Sequence, residues 1–422
     1  MSDESGDLFR LLSEPVVPEK RRGSGWRLWG AALVVMAAVT TVVLLVRSAP
    51  PNDSAEPLST SVTTAAVSTD DTPAASDLAT STLPPLQYPS PRFNAGMALD
   101  PIRGSILMLG GHEDFRTDPV TDAWLLDAER NWRPIPATFE PPGRELPAMI
   151  YADAIDRILV IGGSYEPTFG CGLFNFVRLP AVDVWSLDSA QGRWELSTAG
   201  TTPPDRWGHA AAYDPVVDKV VLFGGAGART DGVSADVFGD TWLYDPTTDN
   251  WEEIDTPVSP AARACHGMVY DPGTELVYLW GGQIRMSTGN PVMWSFDVAT
   301  TTWTEVETHG DPTPIPRWDL RLVYEPVSAR IYVIGGFRRH TVSTDSGTTT
   351  EVAATDEVWM FDPETGEWEE RSAFPAATGG VAVAADGQGS IIAFLGMTTV
   401  VYDTVTDTWT DVTPYELLDL DE

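Results

Sequence analysis

The sequence predicts an all-β fold, a six-bladed β-propeller of four-stranded blades over residues 89–415, preceded by one transmembrane α-helix and a disordered linker. Three observations lead to it. An apolar run ending in a glycine doublet returns along the chain at intervals of 52 to 62 residues. After each run comes a segment built on an aromatic residue and ending in aspartate, and eight or nine residues later a closing tryptophan. Near the N-terminus stand nineteen consecutive residues without a charge.

The N-terminal part comes first in the chain. Residues 28–46 read LWGAALVVMAAVTTVVLLV; at about 1.5 Å per residue a helix of that length crosses one hydrocarbon core. Lys20, Arg21, Arg22 and Arg27 precede it and only Arg47 follows, so the excess of positive charge predicts a cytoplasmic N-terminus. Trp26 and Trp29 suit the interface on that side. A cleaved signal peptide is the rival reading, weakened by the length of the run and by Arg47 just before the small residues a peptidase would need. The expected order is a cytoplasmic tail (1–25), a signal-anchor helix (26–47) and a Ser/Thr/Pro-rich stalk (48–88) with too little apolar surface to fold. The propeller is then expected outside the cell membrane, with an acidic tail at 416–422.

Composition narrows the function. The 422 residues carry a formal net charge of −35, with only two lysines, Lys20 and Lys219. A phosphate backbone needs a basic face, so a nucleic-acid partner is not expected. Two cysteines, Cys171 and Cys265, are too few for a cysteine-based zinc centre. No cofactor and no metal is expected.

The repeats define the blades. The doublets are Gly110–Gly111, Gly162–Gly163, Gly224–Gly225, Gly281–Gly282 and Gly335–Gly336, and a sixth copy decays to Gly396–Met397. The second marker reads AWLLD (123–127), VWSLD (184–188), TWLYD (241–245), MWSFD (293–297), VWMFD (358–362) and VVYD (400–403). Trp132, Trp194, Trp251, Trp303, Trp368 and Trp409 close the units, after tight turns such as DPTTDNW and DPETGEW. Arg92, Arg144, Arg206, Arg263 and Arg317 open five units and Thr378 the sixth. Four short strands per unit, repeated radially, make blades at about 89–141, 142–203, 204–260, 261–314, 315–375 and 376–415. Six whole units in phase suggest a ring closed without a swapped strand, although 86–88 or 415–420 remain available to add one.

The glycine doublet, the aromatic before an acidic turn and the closing tryptophan resemble kelch repeats, and the likeness covers about 325 residues. It implies structural roles for these residues: glycine for positive φ and close backbone approach, tryptophan to fill the wedge between twisted sheets. The last unit departs from the pattern, lacking the second glycine, the opening arginine and the mid-blade tryptophan.

Binding is expected on the face where strands two and three are joined, because the long insertions (112–122, 164–183, 226–240, 283–292, 337–356) gather there. Arg92, Arg144, Arg206, Arg263 and Arg317 open on this face, with Trp207 and Trp318 beside two of them. Around a channel mouth they would attract an anion; paired with carboxylates they would be structural. His209 and His266 lie three residues after successive arginines and suit either metal binding or inner-strand hydrogen bonding. His112, His309 and His340 show no spacing that assembles a site. The loop 164–182 is apolar, with Tyr165, Phe169, Phe174 and Phe176, and suits a binding knob or a lid. Cys171 lies in it, and a disulfide to Cys265 is expected outside the membrane.

Two functions of different class follow. One is a membrane-tethered module that binds a protein or a glycan. The other is an extracytoplasmic sugar-acid enzyme, since kelch propellers resemble galactose oxidase-type copper oxidases and sialic-acid mutarotases. The tyrosine and histidine ligands of a copper oxidase cannot be assembled here, and no catalytic residue is assigned.

Overall fold

A computed structural model describes residues 87–114, 117–136, 141–165, 182–228, 235–284, 290–344 and 347–414. The expected cytoplasmic tail, membrane helix, acidic tail and most of the stalk lie outside them. Among the described residues no helix is long and apolar enough to cross a membrane.

Blade 1 consists of β1 (Gly96–Asp100), β2 (Ser105–Leu109), β3 (Ala123–Leu126) and β4 (Trp132–Pro134), and blade 2 of β5 (Ala148–Ala152), β6 (Arg157–Ile161), β7 (Val184–Asp188) and β8 (Arg193–Leu196). Blade 3 holds β9 (Ala210–Asp214) and β10 (Lys219–Phe223), then a small hairpin β11 (Ala226–Ala228) and β12 (Ala235–Val237), then β13 (Thr241–Asp245) and β14 (Asn250–Ile254). Blade 4 runs β15 (Ala264–Asp271), β16 (Leu276–Gln283), β17 (Met293–Asp297) and β18 (Thr302–Val306). Blade 5 holds β19 (Arg321–Glu325) and β20 (Arg330–Ile334), a long hairpin β21 (Phe337–Thr344) and β22 (Gly347–Ala354), then β23 (Val358–Phe361) and β24 (Trp368–Arg371). Blade 6 is β25 (Ala382–Ala385), β26 (Ser390–Leu395), β27 (Thr398–Asp403) and β28 (Thr408–Asp411).

Every blade is a four-stranded antiparallel sheet in sequential order, so among the described residues no strand is exchanged at closure. Instead Arg92 and Asn94 donate their backbone N–H groups to the carbonyls of Gly396 and Gly380 in blade 6. Tyr88 adds a side-chain bond, its hydroxyl 2.5 Å from Thr399 Oγ1.

The core is a ring of six apolar layers, one between each pair of neighbouring blades. The layer of blades 6 and 1 joins Ala382, Ile392 and Phe394 to Met97, Met108 and Trp132. Trp132, Trp194, Trp251, Trp303 and Trp368 are buried at the blade interfaces. Trp132 and Trp303 donate their indole N–H to Thr399 and Thr241 of the preceding blade, and Trp409 donates to the Ser372 carbonyl. Trp409 is only half-buried, packing against the layer between blades 5 and 6.

The glycine doublet is an inter-blade joint. Gly110 and Gly111 have φ of 70° and 84°, and a Cβ on Gly110 would lie 2.2 Å from the Arg144 carbonyl oxygen. Gly111 donates its N–H to that same carbonyl at 2.8 Å, and Gly225, Gly282 and Gly336 repeat the bond to Arg263, Arg317 and Thr378. A side chain here would push two blades apart.

Candidate functional site

Each opening arginine is a radial clamp inside its own blade. Its Nη1 donates to the carbonyl of the first glycine of the doublet, eighteen residues on, and its Nε to the carbonyl two residues back. In four blades the guanidinium also meets a carboxylate two residues before the mid-blade tryptophan: Arg92 with Asp122, Arg144 with Asp183, Arg206 with Asp240 and Arg317 with Glu357. That tryptophan donates its indole N–H to the same carboxylate, at 2.6 to 3.1 Å. Burial opposes charge on Asp122, Asp240 and Glu357. The facing guanidinium and indole outweigh it and hold these carboxyls below their usual range. The arginine side chains are fully buried, so in these four blades no guanidinium is free to capture an anion at the channel mouth.

The mouth itself is packed with side chains. The residue two positions after each opening residue has positive φ: Asn94, Leu146, Gly208, Cys265, Asp319 and Gly380. Their backbones form a girdle about the axis. Leu146 donates to Asn94, Cys265 to Gly208, Asp319 to Cys265, Gly380 to Asp319 and Asn94 to Gly380. Over one sector lies an apolar cluster of Leu146, Trp207, Ala264, Cys265 and Trp318, covered by Val237, Phe337 and Val352 of the two hairpins. Trp207 and Trp318, expected as surface contacts, are therefore buried beneath the hairpins.

The other sector is a buried polar cluster. His112 Nδ1 lies 2.8 Å from Glu145 Oε2, and Asn94 donates to the same oxygen at 2.9 Å. Asp319 stands near them, 3.5 Å from Arg321. Burial, with Glu145 adding to it, pushes the Asp319 carboxyl up to about 6. His112 therefore belongs to an assembly after all. Its distance in sequence from Glu145 and Asp319 hid it, because three different blades bring these residues together.

His209, just before β9, and His266, within β15, pack on the glycines of the preceding blade, at Gly162 and Gly224. His209 Nε2 lies 3.2 Å from the Ile161 carbonyl. Burial and the neighbouring arginine lower both, His209 to about 4 and His266 well below its usual value. Among the described residues no group of three or more His, Cys, Asp or Glu could hold a metal.

Tyr165 joins the blade 2 clamp: its hydroxyl donates to Asp183 at 3.0 Å and its ring lies under Arg144, 5.3 Å away. Phe169, Cys171, Phe174 and Phe176 lie outside the described residues, while Cys265 is disulfide-bonded.

The insertions of blades 3 and 5 each contribute a strand pair, β11–β12 and β21–β22. β21 and β22 pair from Phe337↔Ala354 to Thr344↔Gly347 and form a two-stranded sheet of their own. Arg338 is tied to Glu357 at 2.5 Å, while His340, Thr341 and residues 348–350 are exposed.

These features define a kelch-type β-propeller whose distinctive surface is its hairpin-bearing face. The model of the Attractin/LZTR1 beta-propeller family matches residues 169–399, more than half of the chain, and the chain belongs to that family. The KLHDC2/KLHL20/DRC7 Kelch-repeats domain model matches residues 75–259. The chain is 28% identical over 268 residues to Adagio protein 3 of Arabidopsis thaliana, covering 58% of this chain and 40% of that protein. It is 30% identical over 140 residues to Mei4-dependent protein 6 of Schizosaccharomyces pombe, covering 31% and 19%. It is 29% identical over 165 residues to multiple epidermal growth factor-like domains protein 8 of Homo sapiens, covering 37% and 6%. The chain thus spans less than half the length of each of these relatives.

Proposed function

We propose that this protein is a membrane-tethered, extracytoplasmic module that binds a protein partner on its hairpin-bearing face. The observation that carries the reading is the β21–β22 hairpin. Apart from a bridge between Phe337 and Trp318 at the base, the eight-residue strands pair with each other in a two-stranded sheet, so beyond Phe337 their outer edges offer a template for an added strand. The hairpin also groups Arg338, Arg339 and His340 in a domain that is otherwise strongly acidic; Arg338 is tied to Glu357 and His340 faces Glu351, so the preference for an acidic partner strand rests chiefly on Arg339. Tethering rests on residues 28–46 and their basic flank, and the extracytoplasmic side on that flank together with the disulfide-bonded Cys265.

The test is a binding screen of the soluble segment 85–422 against extracellular proteins, with a glycan array run beside it. A protein ligand whose binding is lost when the hairpin is shortened supports the reading. Binding only to glycans, or binding indifferent to the hairpin, overturns it.

A further inference from the structure

Blade 4 keeps the donors of the clamp and lacks its acceptor. Val292 stands two residues before Trp294, where Asp122, Asp183, Asp240 and Glu357 stand before their tryptophans. Arg263 keeps its bonds to Gly281 and Ala261, both 3.0 Å. Its Nη2, like Trp294 Nε1, is buried with no hydrogen-bond partner among the described residues. Blade 6 is the telling contrast. There Thr378, Thr398 and Val400 replace arginine, carboxylate and tryptophan together, and both threonine hydroxyls donate to carbonyls, so no donor is stranded. An unpaired buried guanidinium is costly, and burial alone lowers Arg263 to about 10, with no carboxylate opposing it.

We propose that Arg263 Nη2 and Trp294 Nε1 form a binding site for a small monovalent anion of chloride size, in the position that a carboxylate takes in four sister blades. The sister clamps define its geometry, with guanidinium-to-acceptor distances of 2.6 to 3.0 Å in blades 1 to 3 and both donor types converging on one group. Valine is one atom shorter than aspartate along this direction, so its methyls end about where the carboxylate carbon would lie. The position borders solvent: Val292 is half-buried and the sister carboxylates are 17 to 42% exposed. Val292 packs against the layer between blades 3 and 4, so entry of an anion requires its side chain to turn away. The acidity of the chain repels anions at long range, so the site relies on these two donors at contact.

The full chain is tested in two ways. Its thermal midpoint is measured against chloride at constant ionic strength, with gluconate as the replacement anion. A saturable rise of about 2 °C is expected, and it disappears in Val292→Asp, which supplies the carboxylate internally. Crystals soaked in bromide are expected to show an anomalous peak in contact with Arg263 Nη2 and Trp294 Nε1. No peak there at saturating bromide, or the same peak in Val292→Asp, overturns the proposal. If Val292→Asp fails to fold, the bromide peak in the unmodified protein decides alone.

Discussion

Arg144 and Asp183 face each other through two parallel hydrogen bonds, 2.8 Å from Nη1 to Oδ1 and 3.0 Å from Nη2 to Oδ2. They are 39 residues apart and tie the entry of β5 to the entry of β7. Removing one partner strands the other in a largely dry site. Arg144→Leu is therefore expected to lower unfolding free energy by roughly 3–5 kcal/mol in urea titration. A loss below about 1 kcal/mol, the range of a surface pair, would show that the clamp is ornamental.

The same substitution in blade 4 should cost less. Arg263 lacks a carboxylate partner, so Arg263→Leu strands no buried charge and relieves one. Its cost is expected to fall clearly below that of Arg144→Leu in the same titration. Val292→Asp should move stability the other way, by about 2 kcal/mol for a charge-assisted bond set. Equal losses for the two arginines would contradict the clamp logic.

How much of this was legible in the sequence follows from the same residues. Gly110, Trp132 and Arg144 recur in register, and a local marker that repeats six times reports a blade without any structure. Pairing of the arginines with carboxylates is one of the two readings the sequence offers; which carboxylates is legible too, since Asp122, Asp183, Asp240 and Glu357 all precede a tryptophan by two residues, and they lie in the arginine's own blade rather than a neighbour's. Asp319, Glu145 and His112 were not legible. They meet only because three blades converge on one axis, and no linear spacing encodes that. The hairpins carry no strand signal in the sequence: β11 and β12 are three residues each, β22 opens on Gly-Thr-Thr-Thr without apolar alternation, and β21–β22 is held by cross-strand pairing.

Acid titration should show two opposed effects in one window. Asp319 has a folded value of about 6, above its unfolded value, so the native state holds its proton longer and stability falls as pH rises from about 4 to 6. His209, at about 4, and His266, lower still, are depressed by burial, so the unfolded state takes up protons first and stability falls as pH drops below about 6.5. Asp319→Asn should stabilise the protein at pH 7 by about 2 kcal/mol and leave the histidine-driven acid loss steeper. His209→Gln should flatten that loss. Unfolding midpoints of the three proteins between pH 4 and 7 check this, and an Asp319→Asn protein that is less stable at pH 7 would overturn the assignment.

Cys265 is disulfide-bonded, and the chain contains one other cysteine, Cys171. Peptide mapping without reductant should recover the linked pair. Reduction should lower stability by roughly 2–4 kcal/mol, as expected when a long loop of the unfolded chain is released. Two free thiols in the protein recovered from its native compartment would remove the bond, and with it one support for an extracytoplasmic location.

The hairpin separates binding from folding. Its base packs on the mouth cluster through Phe337 and Val352, whereas Thr341 and residues 348–350 are exposed. Excising residues 341–350 and joining His340 to Glu351 by Asn-Gly restores a tight two-residue turn and leaves the base in place. The thermal midpoint should then stay within about 2 °C, the scale expected for a change below 1 kcal/mol in a domain this large. Binding of the protein partner should be lost in the same preparation. A midpoint that collapses would make the outer hairpin part of the fold, and unchanged binding would move the docking surface elsewhere on the face.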